Sequence, residues 1–211
     1  AATPMVSISL LPDIVKEFTK LNPQVDITID DVDVNTVRKL VLDGEADIGL
    51  GFFIKPAAGL LRQPLCRFRL MCVSPPISSS GHSISSRTWS SLRDLPLIGL
   101  PADNPIQLLV ETHLARIQTS PTQGKAMNFM GTVIAMVRAG MGHAIIPSFA
   151  LEECKRQGLQ ISMLKKPVAY LDLYLVSRRG NRPKTLSVDF ATLLKMAAVK
   201  LASTTPDTSI N

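Results

Sequence analysis

The chain has 211 residues, 45% hydrophobic and 19% charged, with 15 Pro, 12 Gly and 3 Cys. That apolar content suffices for a sizeable core and excludes intrinsic disorder, a collagen-like repeat and a disulfide-stapled miniprotein. The formal net charge of +6 invites a nucleic-acid reading, yet residues 1–50 hold four Lys/Arg against nine Asp/Glu and the rest hold nineteen against eight.

Leu11, Ile14, Val15, Phe18 and Leu21 recur at helical spacing, which predicts a helix opening near Leu10 with Ser9 as cap, Pro12 in its first turn and Asn22–Pro23 as its stop. Val25, Ile27 and Ile29 alternate with polar residues and predict a strand. Asn35 is placed to cap a helix carrying Val37, Leu40 and Val41, stopped by Gly44. Residues 46–53 read as an apolar strand, so the chain opens as a helix–strand–helix–strand α/β unit. A strand over 69–73 leads to SPPISSSGHSISSRT, residues 74–88. That segment has seven serines and neither period, and it reads as a connector between two lobes.

A second α/β alternation follows. It predicts a helical turn at 89–93, a strand at 96–100, a helix over 106–118, a strand at 126–130 and a helix over 132–139 stopped by Gly140 and Gly142. Next come strands at 144–146 and 160–164 flanking a helix over 148–157. A long strand at 170–176 and a last helix from Leu186 to about Leu201 close the first unit, with the second inserted into it. Such a chain crosses between lobes twice, and a cleft between lobes is the preferred place for a small ligand. The polar tail is expected to fray.

No apolar run reaches the roughly 18 residues of a membrane-spanning helix, so no membrane partner is expected. The opening AATPMVSISLLP has neither the basic n-region nor the uninterrupted apolar core of a secretory signal, and the chain is expected to be a trimmed or cut-out piece. Cys66, Cys72 and Cys154 form no C-x-x-C pair and read as reduced, buried thiols of a cytosolic protein.

Catalytic motifs are missing: no Walker A loop, no H-E-x-x-H and no G-x-S-x-G. Gly49-Leu-Gly51 and Gly140-Met-Gly142 lack a third glycine. His82, His113 and His143 have no metal-ligand spacing and read as surface or hydrogen-bonded structural residues. Asp30, Asp31 and Asp33 lack the glycine and distal glutamate of a calcium loop. The chain is therefore expected not to be an enzyme and to carry neither metal nor cofactor. Residues 133–157 imitate a helix-turn-helix, but the intervening HAIIP is apolar and β-branched and reads as a buried strand. Arg178, Arg179, Arg182 and Lys184 read as a solvated loop without aromatic neighbours.

In order along the chain, Leu11, Pro12, Phe18, Pro23, Val25, Leu42, Gly44 and Asp47 resemble the opening pattern of the effector-binding domain of LysR-type transcriptional regulators. SSLRDLPLIGL resembles that family's entry to its second lobe, and MVRAGMGHAIIP its V-x-x-G-x-G-x-x-x-x-P segment. YLVSRRGNRPKTLSVDFATLL resembles the return strand and last helix. The likeness covers nearly all of residues 1–201. It implies an α/β fold of two Rossmann-like lobes joined by two crossover strands, similar to type 2 periplasmic-binding proteins. The implied lobes are 1–73 with 171–201 and 74–170, followed by a flexible tail over 202–211.

The resemblance also implies a cytoplasmic ligand sensor that controls transcription. DNA would be reached only through a winged helix-turn-helix domain absent from this chain, which starts just past the family's first strand. Homodimers or homotetramers are implied, with Ile14, Phe18 and Val137 as candidate interface residues. The alternative on the same fold is an extracytoplasmic solute-binding protein feeding a transporter.

In the family the effector lies between the lobes, against loops and helix N-termini that favour anions. By position the contacts would be Thr3, Met5 and Val6, then Phe52, then Asn104, Pro105, Ile106 and Gln107, then Asn128, Met130 and Thr132. Thr3 and Thr132 could equally be plain helix caps, Asn104 a plain turn initiator and Phe52 plain core. An aromatic at 52 departs from the small polar residue common there. With Met5 and Met130 it points to an organic acid with an apolar or aromatic body.

Overall fold

The computed structural model describes residues 1–77, 84–117, 126–180 and 185–203. In chain order the elements are α1 (Pro4–Leu21), α2 (Val34–Asp43), β1 (Gly49–Phe52), β2 (Leu60–Ser74), β3 (Ile84–Thr88), α3 (Pro105–Ala115), α4 (Met130–Arg138), β4 (Ala144–Pro147), α5 (Leu151–Arg156), β5 (Gln160–Lys165), β6 (Tyr170–Arg178) and α6 (Thr185–Ser203). Short 3-10 turns precede α5 and follow β3. Two compact units result, one of Ala1–Arg67 with Asp172–Asn211, the other of Phe68–Leu171. Both changes of unit fall inside a strand, β2 and β6.

In the first unit α1 packs along α6, where Phe18 and Phe190 meet edge to face at 5.1 Å. The helix opens at Pro4, well before Leu10, and Pro12 lies in its interior. Both facts have one cause. Pro4 at the first helical position gives up an N–H that would have no acceptor anyway, and Met5, Val6, Leu10, Leu11, Ile14 and Phe18 supply one continuous buried stripe. Pro12 is exposed, as is Ile8 at 62%, whose carbonyl Pro12 cannot bond, so the interior proline falls on the solvent face of the helix. Ile14 and Phe18 are 3% and 2% exposed, and Val137 is fully buried, so all three are core rather than interface residues.

The alternating segment Val25–Ile29 is extended but joins no ladder. Only Ala2 bridges here, in parallel to Asp31 on one side and Leu50 on the other. Val25, Ile27 and Ile29 instead line a cavity of about 550 Å³ with Leu11, Phe18 and Phe190. Apolar alternation specifies faces, whereas a strand also needs a backbone neighbour. Asp33, not Asn35, caps α2: its Oδ1 accepts from Asn35 N at 2.9 Å and Thr36 N at 3.2 Å. β1 and β6 pair antiparallel with Gly49 opposite Val176. A Cβ at Gly49 would lie 2.6–2.9 Å from Val176, Val37 and Val41, so only glycine lets α2 pack this closely on β1.

The second unit is built on β2, flanked antiparallel by β4 and β5, with β3 parallel to β5. β2 starts at Leu60 rather than Arg69, because its first half is largely exposed apart from Leu60 and Leu65 and carries Pro64, which hides the strand period. β3 lies inside the stretch read as structureless. Its apolar signal is weak, and polar pairs help hold it: Ser85 Oγ to Ser162 Oγ at 2.8 Å and Lys165 Nζ to Ser86 Oγ at 2.7 Å. The expected strands at 96–100 and 126–130 shrink to single bridges, Leu97 to His143 and Gly99 to Ala126. HAIIP forms β4 and its lead-in, as a buried strand should.

Candidate functional site

Thr3 ends the stub that bridges Asp31 and Leu50 and is the N-cap of α1, yet its side chain makes no capping hydrogen bond. Met5 and Val6 lie in the first turn and not in a preceding loop, and both are buried. Phe52 ends β1 opposite Leu173 and is 5% exposed. In the second unit Asn104 caps α3, its Oδ1 accepting from Ile106 N at 2.9 Å, with Pro105 at the first helical position. Gln107 is 3% exposed. Its Oε1 accepts from Leu100 N at 3.1 Å and its Nε2 donates to Glu111 at 3.1 Å. That amide therefore holds the 99–107 turn together, and Gly99 leaves it room. Asn128 is exposed, Met130 opens α4 and is 8% exposed, and Thr132 is exposed in the first turn. The cap of α4 is Phe129 and not Thr132, again with no side-chain cap bond.

The helix starts thus fall into two kinds. α2 and α3 satisfy their own first-turn N–H groups with Asp33 and Asn104, whereas α1 and α4 use no side chain for this. Uncapped N–H groups and the positive end of the helix dipole attract carboxylates and other anions. Phe129, 41% exposed at the start of α4, adds an apolar surface that sequence reading passed over. Its only signal was an aromatic wedged between the polar Asn128 and a helix start.

The remaining titratable groups play other parts. His113 stacks on Trp89 at 4.5 Å, His143 bonds Ser74 through Nδ1 at 2.8 Å, and His82 lies outside the described residues. Burial, and then the charges of Arg116 and Arg87 respectively, lower the pKa of His113 and His143. Burial pushes the thiols of Cys66 and Cys154 up to about 12, with help from Asp172 and Glu153. All three cysteines are free. Among the described residues no group of three or more His, Cys, Asp or Glu could hold a metal ion, and no helix is long and apolar enough to cross a membrane. Arg182 and Lys184 lie outside the described residues, while Arg178 and Arg179 are exposed.

The two mixed α/β units, between which the chain passes inside β2 and β6, have the type 2 periplasmic-binding fold of the structures this chain resembles. The regulatory protein NocR of Agrobacterium tumefaciens (strain T37) is 26% identical over 157 residues, covering 69% of this chain and 48% of NocR. The chain spans about half the length of the curated relatives it matches. Among solved structures, the effector binding domain of QuiR in complex with shikimate superposes with a TM-score of 0.77 at 16% identity, covering 94% of this chain and 95% of that one. The regulatory domain of CcmR from Synechocystis PCC6803 in complex with 2-PG also gives 0.77, at 15% identity, covering 92% and 93%. Residues 1–198 match the LysR substrate binding domain, and the chain belongs to that family.

Proposed function

We propose that this chain senses a small organic acid within a LysR-type transcriptional regulator, with DNA bound by another part of the full protein. The observation that carries the reading is that α1 and α4 both open without a side-chain cap beside Thr3 and Thr132, two of the expected contacts. In this reading Thr3, Met5, Val6, Phe52, Asn104, Pro105, Ile106, Asn128, Met130 and Thr132 are the candidate contacts. Gln107 keeps its turn in shape. The carboxylate meets helix N–H groups, and an apolar body meets Phe129 and Met130. Complexes of related folds with shikimate and 2-PG support the acid class.

The same proposal makes the protein cytoplasmic, non-enzymatic and a homodimer or homotetramer. Ligand shifts it between states only by as much as it binds one better than the other. Exposed Ile8, Leu21, Val188, Met196 and Val199 are the large apolar side chains α1 and α6 offer to a second copy, in place of the buried trio. A thermal-shift and calorimetric screen of aliphatic and aromatic carboxylates tests the function. A saturable rise in Tm with at least one carboxylate is expected. Binding of sulfate with no response to any acid in the panel would refute it.

A further inference from the structure

Residues 1–3 pair on both sides, and both of the walls they pair with continue beyond them. Ala2 bridges Asp31 on one side and Leu50 on the other, in parallel each time. Ala1 N donates to Ile48 O at 2.8 Å, Leu50 N to Ala1 O at 2.9 Å and Thr3 N to Leu50 O at 3.3 Å. Opposite, Ala2 N donates to Asp30 O at 2.9 Å and Val32 N to Ala2 O at 3.0 Å. At Ala2 the walls therefore stand two strand spacings apart, about 9.5 Å.

Past Ala1 the ladder stops but the walls do not. Residues 25–30 and 45–48 both line the cavity of about 550 Å³, with Leu11, Phe18 and Phe190 of α1 and α6. The N–H groups of Thr28, Asp30 and Ile48 are the ones the same ladder would use next, and among the described residues they have no hydrogen-bond partner. Val25, Ile27, Ala46 and Ile48 are half-buried and Ile29 is 44% exposed. Unpaired strand edges template a further strand, and apolar side chains left partly in water are stabilised when one covers them. Directly opposed residues share a face, so the register sets what fits. The position just before Ala1 falls between Ile29 and Ile48, the second between Thr28 and Asp47, and the third between Ile27 and Ala46.

We propose that this slot takes one β-strand, parallel to both walls and donated by the residues that lead into Ala1 in the full-length protein. Its side chains one and three positions before Ala1 are apolar, and the one between them is polar or basic. Asp26, Asp30, Glu45 and Asp47 also line the cavity and favour a cation at that middle position. Continuity of the ladder through Ala1–Thr3 selects this occupant, since a separate peptide or a second copy has to end against Ala1. The strand ties Thr3, a candidate effector contact, to a sheet paired on both sides. The proposal rests on reading this chain as part of a longer regulator.

The test compares three proteins: the chain beginning at Ala1, the chain carrying the native residues that precede Ala1, and that extended chain with aspartate at the first and third positions before Ala1. Amide hydrogen exchange by NMR, Tm by circular dichroism and mass by sedimentation are followed. The native extension should slow exchange at Thr28, Asp30 and Ile48 by about tenfold or more and raise Tm by about 4 °C or more. The aspartate form should do neither. The two extended forms suffice if the chain beginning at Ala1 does not fold. An extension that leaves the three amides unprotected overturns the proposal, as do native residues that are charged at both the first and third positions. Protection of the same amides in a dimer of the chain beginning at Ala1 overturns it in favour of a second copy. No effector enters the experiment, so its failure and that of the acid screen are told apart.

Discussion

Gln107 separates a ligand-binding role from a structural one most sharply. Its side chain is 3% exposed, with Oε1 on Leu100 N at 3.1 Å and Nε2 on Glu111. Gln107→Leu keeps much of the volume but strands the Leu100 N–H without that acceptor. A buried backbone donor so abandoned costs about 1–3 kcal/mol, while the half-exposed Glu111 loses little because water replaces its donor. In a protein of this size each kcal/mol lowers Tm by about 2–4 °C, so a loss near 2 kcal/mol predicts a fall of about 4–8 °C. Gly99→Ala, whose methyl would strike the same Oε1, should act in the same direction. Thermal unfolding by circular dichroism, with calorimetric binding of an acid identified in the screen at a temperature where all variants are folded, provides the assay. Effector affinity within about twofold of the parent is expected. An unchanged Tm with affinity reduced more than tenfold would refute the reasoning and return the amide to the ligand.

Thr3→Ala should leave stability within about 0.5 kcal/mol, since the hydroxyl caps nothing, whereas Asp33→Ala should cost about 1 kcal/mol as a lost N-cap; urea unfolding compares them. The bonds to Asp33 from the Thr36 hydroxyl and from backbone N–H groups hold its carboxyl below the usual range. Its folded pKa is depressed, so its contribution is present above the unfolded pKa and fades as pH falls through the folded one. The stability gap between parent and Asp33→Ala should therefore close on acidification below the ordinary carboxylate range. Gly49→Ala forces a methyl against three valines and should destabilise by about 1–3 kcal/mol, read from the urea midpoint. Iodoacetamide at pH 8 should label the thiols of the native chain far more slowly than in urea, because burial raises all three thiol pKa values.

Sequence alone determined what depends on local period and composition. Helical spacing found Leu11, Ile14 and Phe18 of the buried stripe of α1 but also took in Leu21, which is 65% exposed; Gly44 marked the end of α2, and the β-branched run before Pro147 exposed a false helix-turn-helix. The family resemblance, and not period or composition, put Thr3, Asn104 and Thr132 forward as candidate contacts. Tertiary structure decided what depends on neighbours far along the chain. Val25–Ile29 has the strand pattern without a ladder, while the serine-rich β3 has a ladder without the pattern, because pairing needs a partner strand. Which cap is spent and which is open was equally illegible: Asn104 and Thr3 are alike as sequence signals, yet only Asn104 turns its side chain onto its own helix.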